Sequence, residues 1–310
     1  MPFISNIVTN KQIASVLNIK DAIDVMRRAF GSYGKSGAMQ PRVRIDAGAT
    51  KLSMMGAILP GINAVGAKIY TTIDGRFTFV VVLFSAVDGS LLAVMEGDAM
   101  TEFRTAAVTA LAADVLAPRD ARTLAVFGTG VQAAAHVPAL LSVRQFSTVL
   151  VVGIDRPAEF AQQVARQYGV NALVASADQA AAQADVLLTA TRATAPLFDG
   201  DAVKKGAFVA AIGSSKPDAR EVDDNLVRRA SHIVVEWLPQ AKTEAGDLLL
   251  CADGCFDWQN VVELGQVIGT HNAIRRSADD IVLYKAIGVG LEDVALAEFV
   301  HGRMTALAAI

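Results

Sequence analysis

The sequence has no apolar run long enough to cross a bilayer. Its longest nearly unbroken one, Phe77–Val87 (FTFVVVLFSAV), falls well short of the roughly 20 residues a spanning helix needs, so the positive mean hydropathy of +0.39 points to buried strands. Cysteine is almost missing. Cys251 and Cys255 stand in CADGC, which is not a C-x-x-C spacing, and no second cysteine pair or accompanying histidine extends it. They read as incidental thiols of a reducing cytoplasm rather than a redox pair or half a metal site. Aromatic residues make up 6% of a chain that is 53% hydrophobic, so small aliphatics carry the core, as suits parallel strands covered on both faces by helices. No sign of charge dominates. The net charge is −3 and the basic pairs Arg27-Arg28, Arg228-Arg229 and Arg275-Arg276 are scattered, which leaves no stripe for nucleic acid. The opening MPFISNIVTNKQ lacks a basic leader followed by an apolar core, which predicts a cytoplasmic protein. His136, His232, His271 and His301 read as structural or surface residues, and no H-x-x-x-H or carboxylate cluster suggests a metal.

What is present divides into two patterns. The 310 residues are enough for two domains. Thr9 and Asp21 are candidate caps for short helices over Lys11–Leu17 and Ala22–Tyr33. Strand-like runs follow at Arg42–Ala47, Leu52–Leu59, Val65–Ile73 and Phe77–Val87, the last turning at Asp88-Gly89 into Leu91–Met95. An alanine-rich helix over about Ala99–Leu116 closes an α+β unit, with Pro118-Arg119-Asp120 as the boundary. Beyond it strands and helices alternate. The strands are Thr123–Phe127, Thr148–Ile154, Asn171–Val174, Asp185–Thr189, Phe208–Ile212 and His232–Glu236, with Pro157–Tyr168 and Asp178–Ala184 among the helices. That alternation predicts an α/β, doubly wound parallel sheet. Leu283–Leu307 reads as a final helix, interrupted at Gly288-Val289-Gly290, that returns to the first domain. The domains expected are 1–118 with 291–310, and 119–290.

The most informative stretch is RTLAVFGTGVQA, Arg122–Ala133. A buried strand runs into Gly128-Thr129-Gly130-Val131-Gln132-Ala133 and then into a helix pattern, the G-x-G-x-x-A order of a dinucleotide fold. Gly128 makes the tight turn, Gly130 lets a pyrophosphate approach the backbone, Ala133 keeps helix and strand close, and the helix N-terminus offers free N–H groups. Asp155 and Arg156 follow about 20 residues later, where such folds meet the ribose. Ligands of a doubly wound sheet bind outside the carboxyl ends of its strands. That selects four loops: Gly128–Ala133, Asp155-Arg156, Thr189–Thr191 and Gly213–Pro217.

Three cations stand where a surface charge is not needed. Arg42 opens a strand in QPRVRI, Lys68 lies in the apolar VGAKIYT, and Arg104 lies on a helix of small residues, TEFRTAAVTALAA. Each could be a snorkelling side chain or a partner for Glu102 or Asp46. Together they suit an anionic substrate. Guanidiniums hold a carboxylate bidentately, and a lysine adds charge or donates a proton.

These motifs, taken in order, resemble the ornithine cyclodeaminase/mu-crystallin family along nearly the whole chain. The resemblance rests on PRV at Arg42, GxK at Gly66–Lys68, FRTAA at Phe103–Ala107 and GTGVQA at Gly128–Ala133. It continues through DVLLTAT at Asp185–Thr191, GSSKPDARE at Gly213–Glu221, QAKTEAGD at Gln240–Asp247 and VGLED at Val289–Asp293. It implies a Rossmann domain plus a substrate and dimerisation domain completed by the C-terminal helix, assembled as a homodimer. By the same resemblance Arg42 and Arg104 grip a substrate carboxylate and Lys68 stands beside the reacting carbon. The Gly128–Ala133 turn, Thr189, Ala190, Thr191, Ser214, Val289 and Gly290 match cofactor-contacting positions. Two departures matter. Ornithine cyclodeaminases carry an acidic residue early in the strand after PRV, where this chain has Ser53, and a catalytic aspartate where it has Ser215. GSSKPDARE is similar instead to the mu-crystallin and ketimine-reductase branch.

Serine at 215 has a chemical consequence. Cyclising a diamino acid with loss of ammonia calls for a carboxylate to hold the distal ammonium and accept protons, and serine cannot replace it at neutral pH. Reducing a ready-made C=N bond asks only for a clamped carboxylate, an oriented nicotinamide and a proton. The sequence therefore predicts an NAD(P)H-dependent reductase of small imino acids such as Δ1-pyrroline-2-carboxylate or Δ1-piperideine-2-carboxylate. Lys68 and Ser215 are the catalytic candidates. A neutral residue before arginine is frequent in that branch, which leans the cofactor toward NADPH, while Asp155 keeps NADH in play. The alternatives are an ornithine or lysine cyclodeaminase, an alanine-dehydrogenase-like enzyme, and a mu-crystallin-like binding protein. Retention of the cation trio speaks against the last. No membrane or nucleic-acid partner is expected.

Overall fold

The strand-like runs on either side of Lys68 pair as neighbouring strands. In the computed structural model, which describes residues 7–270 and 274–309, they are β1 (Ile7–Val8), β2 (Ala38–Met39), β3 (Val43–Ala47), β4 (Thr50–Leu59), β5 (Ala64–Ile73), β6 (Arg76–Ser85) and β7 (Leu91–Glu96). The sheet runs β1-β7-β6-β5-β4-β2, with β3 also on β4, and is antiparallel except where β1 meets β7. Period-2 alternation separates its faces. Met55, Lys68 and Val81 are directly opposed on one face and are buried. The final helix, Gly290–Ala308, packs across β4, β5 and β6 and against the helix Ile19–Ser36. On the other face Val43, Ile45, Leu52 and Ile73 remain exposed, with Ile45 opposite Leu52. Thr9 caps the first helix, whereas Asn18 rather than Asp21 caps the second, its side chain accepting from the Asp21 N–H.

The chain divides into two units, Met1–Val108 with Gly288–Ile310, and Thr109–Ile287, so the helix Asp98–Leu116 runs across the first boundary. The second unit is built on β8 (Thr123–Phe127), β9 (Thr148–Val152), β10 (Asn171–Val174), β11 (Val186–Thr189), β12 (Phe208–Ala211), β13 (Ala230–Val235), β14 (Val261–Glu263) and β15 (Ile281–Lys285). Every pairing is parallel, in the order β10-β9-β8-β11-β12-β15-β13-β14. The chain leaves β8 toward β9 and β10, then returns to β8's other side with β11. That reversal is a topological switch point, where ligands of such sheets bind. Central stretches such as 124–127 and Phe208–Ala211 are continuous apolar runs with almost no exposure, as a sheet covered on both faces requires.

Besides the two-residue strands Ile7–Val8 and Ala38–Met39, two strands of the second unit escape the sequence reading. Val261–Glu263 pairs with β13. Ile281–Lys285, expected as the start of the final helix from Leu283, is instead a buried strand between β12 and β13. A four-residue apolar run, Ile281–Tyr284, close to a helix carries no period of its own, so the two merge in the sequence. Gly288, at φ +73°, breaks the strand from the helix that begins at Gly290. No helix among the described residues is long and apolar enough to cross a membrane. His271 lies outside the described residues.

Candidate active site

The first unit brings Arg42, Lys68 and Arg104 together around the start of the final helix. Alternation along β5 turns Lys68 inward, leaving it 1% exposed. Its Nζ donates to Thr101 Oγ1 at 2.8 Å and to Asp293 Oδ1 at 3.2 Å, and lies 4.5 Å from the Phe79 ring centroid. Burial pushes its pKa down from 10.5 to about 7. Asp293 opposes that shift, while the charges of Arg104 and then Arg42 add to it. Arg104, 7% exposed, donates from Nη1 to Glu292 Oε2 at 2.6 Å, and its Nε lies 3.5 Å from Asp293 Oδ1. Arg42 donates from Nη2 to the Gly288 carbonyl at 2.9 Å. A Cβ on Gly288 would stand 2.7 Å from Arg104 Nη1, so both arginines converge on this left-handed glycine.

The alternative partners fall away. Arg104 is held by Glu292, not Glu102, and Asp46 pairs with the exposed Lys51. Glu292 and Asp293 occupy the first turn of the final helix, where carboxylates also meet the positive end of the helix dipole. Ser53, the site of the first family departure, is buried on the Lys68 face opposite Tyr70.

In the second unit the four expected loops follow β8, β9, β11 and β12, which are neighbours in the sheet. Gly128 takes φ +113°, and a Cβ there would stand 2.6 Å from the Ala190 carbonyl oxygen. Gly130 is the N-cap of the helix Val131–Val143 and gives it no side-chain cap. A Cβ on Gly130 meets nothing within 4 Å. The helix start thus has open space beside Gly130 and no side chain capping it, which fits a phosphate. Ala133 is fully buried on the sheet, while Val131 is exposed and Gln132 half-buried. Thr129 donates its hydroxyl to the Asp155 carbonyl at 2.8 Å, tying the turn to the end of β9. Asp155 and Arg156 are exposed, with Arg156 Nε 3.4 Å from Asp155 Oδ1 and 3.8 Å from Glu159 Oε2. These residues fit a dinucleotide.

Thr189 and Thr191 donate their hydroxyls to Glu221, at 2.7 Å each. Ser214 is buried, its Oγ donating to the Ala219 carbonyl at 3.1 Å and accepting from the Lys216 N–H at 3.3 Å. Ser215 is half-buried in the same loop. Val289 and Gly290 belong to the first unit and are buried; a Cβ on Gly290 would stand 2.5 Å from the Gly56 carbonyl. His136 is a core residue, its ring nitrogens bonded to the Gln132 carbonyl and the Thr109 hydroxyl. Cys251 and Cys255 donate to the backbone carbonyls of Asp247 and Asp224. Among the described residues no three His, Cys, Asp or Glu side chains are grouped to hold a metal ion. The sequence reading gave no role to Glu292, Asp293, Glu221, Asp247 or Lys285. For Asp247, Lys285, Glu292 and Asp293 the signal was a charge beside apolar residues; Glu221, in the charged stretch DAREVDD, carried none.

Comparison with known proteins agrees with this arrangement. The profile of the ornithine cyclodeaminase/mu-crystallin family matches residues 5–307. The ketimine reductase mu-crystallin of Mus musculus is 34% identical over 294 residues, 90% of each chain. A Delta(1)-pyrroline-2-carboxylate reductase of Bacillus cereus is 31% identical over 260 residues, 80% of each chain. Among solved structures, that of a probable ornithine cyclodeaminase from Bordetella pertussis Tohama I superposes with a TM-score of 0.96 at 44% identity, over 98% of each chain. With a matching profile over almost every residue and the dinucleotide turn and cation cluster both in place, the chain belongs to the ornithine cyclodeaminase/mu-crystallin family.

Proposed function

We propose that this protein reduces the C=N bond of a small cyclic imino acid, such as Δ1-pyrroline-2-carboxylate or Δ1-piperideine-2-carboxylate, to the L-amino acid with NAD(P)H. The observation that carries the reading is Lys68: a buried ammonium group beside two arginines, with two of its donors on Thr101 and Asp293. Arg42 and Arg104 take the substrate carboxylate, as planar guanidiniums do. When bound at the glycine turn, the reduced dinucleotide supplies a hydride to the imine carbon. Lys68 would give the balancing proton to the nitrogen, so that with the hydride C=N becomes CH–NH. A pKa of about 7 lets Lys68 both hold a proton and release it near neutrality. Ser215 adds a hydrogen bond and no charge.

A second reading has its own support. The 44% identical Bordetella relative is a probable ornithine cyclodeaminase. Redox-neutral deamination, however, needs a base near the distal amine, and position 215 offers none. The exposed apolar face of the first sheet, with Val43, Ile45, Leu52 and Ile73, fits a second copy of the chain, and we read the protein as a homodimer.

The test is loss of reduced-nicotinamide absorbance when the purified protein meets each cyclic imine. NADH and NADPH are supplied separately, because the Asp155-Arg156 corner carries both signs of charge. Dinucleotide oxidation with product amino acid is expected. No oxidation with any imino acid, together with ammonia release from ornithine at catalytic NAD, would install the second reading instead.

A further inference from the structure

Glu221 is fully buried although it stands among the loops at the carboxyl end of the parallel sheet. Its Oε1 accepts from the Thr191 N–H at 2.8 Å and the Thr191 hydroxyl at 2.7 Å. Its Oε2 accepts from the Thr189 hydroxyl and the Gly213 N–H, both at 2.7 Å. Each oxygen thus answers one backbone donor and one threonine. A Cβ on Gly213 would collide with the Glu221 carboxylate, so the loop approaches as closely as only glycine allows. The residue between the two threonines, Ala190, is the one whose carbonyl abuts Gly128 of the glycine turn.

Behind Glu221 lies a second layer. Asp247 Oδ1 accepts from the N–H groups of Glu221 at 2.6 Å and Val222 at 3.0 Å, and its Oδ2 lies 2.7 Å from Lys285 Nζ. Lys285, from the strand that the sequence conceals, donates to the carbonyls of Ser214 at 2.6 Å and Ala211 at 3.2 Å. The Gly213-Ser214 segment is therefore held through its N–H by Glu221 and through its carbonyl by Lys285. Both charged groups lack any exposure.

We propose that Glu221, backed by Asp247 and Lys285, is a positioning residue for the dinucleotide: it fixes the Thr189–Thr191 and Gly213-Ser214 loops and, through Ala190, the glycine turn. The proposal rests on the reading of this unit as dinucleotide-binding. Asp185 supplies the control. It too accepts from two backbone N–H groups, Arg122 at 2.7 Å and Thr123 at 2.9 Å, and pairs with Lys204, but it precedes β11, at the amino end of the sheet. A merely structural role would make the two acids equivalent.

Glu221→Gln tests the difference. An amide has one acceptor end, so however it turns, the N–H of Thr191 or of Gly213 faces another donor. The dissociation constants of NADH and NADPH are measured by nicotinamide fluorescence on purified wild type, Glu221→Gln and Asp185→Asn, alongside thermal melts and steady-state kinetics. Glu221→Gln is expected to raise the dissociation constant and the dinucleotide KM by about tenfold or more, the equivalent of one hydrogen bond to a charged group. At saturating dinucleotide its kcat should stay within about threefold of wild type. Asp185→Asn is expected to lower the melting point without weakening dinucleotide binding. If Glu221→Gln does not fold, Thr191→Val removes, at constant shape, one donor to Glu221 and the acceptor of the Ala193 N–H, and should weaken binding about threefold. Unchanged binding in the variant that folds, or equal weakening in Asp185→Asn, overturns the proposal alone. A wild type that binds neither dinucleotide overturns the dinucleotide reading and this proposal with it.

Discussion

Replacing Asp293 by asparagine perturbs the proton on Lys68 while leaving Arg104 its shorter ion pair, the one with Glu292. The carboxylate lies 3.2 Å from Lys68 Nζ and is fully buried, so its charge is not screened by water. Opposite charges about 4 Å apart interact by about 4 kcal/mol at an effective dielectric of about 20. Asparagine keeps an Oδ1 acceptor for the ammonium, and Thr101 and the Phe79 face are untouched, so only part of that energy is lost. A loss of about 1.4–3 kcal/mol lowers the Lys68 pKa by about one to two pH units. The direction is fixed by charge: burial already holds Lys68 at about 7, and Asp293 is the group opposing it. If protonated Lys68 is the donor, activity is lost as pH rises through its pKa. In Asp293→Asn the descending limb of kcat/KM for the imine should therefore move toward acid by that interval. At pH 7 the protonated fraction falls from about a half to about a tenth or less, a loss of roughly fivefold or more in rate, while below about pH 4 the two proteins converge. Arg104 retains Glu292, so the carboxylate grip survives. The assay is the dinucleotide absorbance decay across pH with one imine, whose own ionisation is common to both proteins. A limb at the same pH in both proteins would refute proton donation by Lys68.

Lys68→Met should cut the reduction rate by about a hundredfold to ten-thousandfold, the span of one general acid, and leave the NAD(P)H dissociation constant unchanged by fluorescence. Gly288→Ala forces a side chain onto φ +73° and puts a Cβ 2.7 Å from Arg104 Nη1. It should cost about 1–3 kcal/mol in thermal stability and raise the imine KM by about tenfold, with the dinucleotide KM unmoved.

How much of this the sequence disclosed depends on the distance over which each feature is decided. The glycine turn is settled within a dozen residues by strand, Gly128, Gly130 and the uncapped helix start, and it was legible. So was the unusual setting of Lys68, a charge inside the apolar run VGAKIYT, which the structure buries. The partners of the cations were not. Arg104 finds Glu292 at a separation of 188 residues, and Lys68 finds Asp293 at 225, so no local pattern links them. Thr189 and Thr191 sit in the right loop, but a short motif cannot tell a hydroxyl aimed at a ligand from one aimed at a buried acid 32 or 30 residues on. The strand Ile281–Lys285 stayed hidden for a related reason. Its terminal lysine makes a poor central strand until Asp247 is there to neutralise it.

One rule would have recovered these residues. An ionised side chain in a fully buried segment costs several kcal/mol unless an opposite charge and further hydrogen bonds compensate it. Lys68 in β5 and Lys285 in β15 each therefore predict a distant acid. The buried acids among the described residues include Glu221, Asp247, Glu292 and Asp293, with Glu236 and Glu244 beside them as candidates. Packing sorts them: Lys68 and Arg104 share Glu292 and Asp293, and Lys285 takes Asp247. Glu221 is satisfied instead by four neutral donors, two of them backbone N–H groups of loops at the carboxyl end of the sheet. A buried acid held in this way by loop backbone keeps its shape only while those loops keep theirs. The same coupling runs in reverse, so whatever ligand orders the loops must also tighten the core around Glu221.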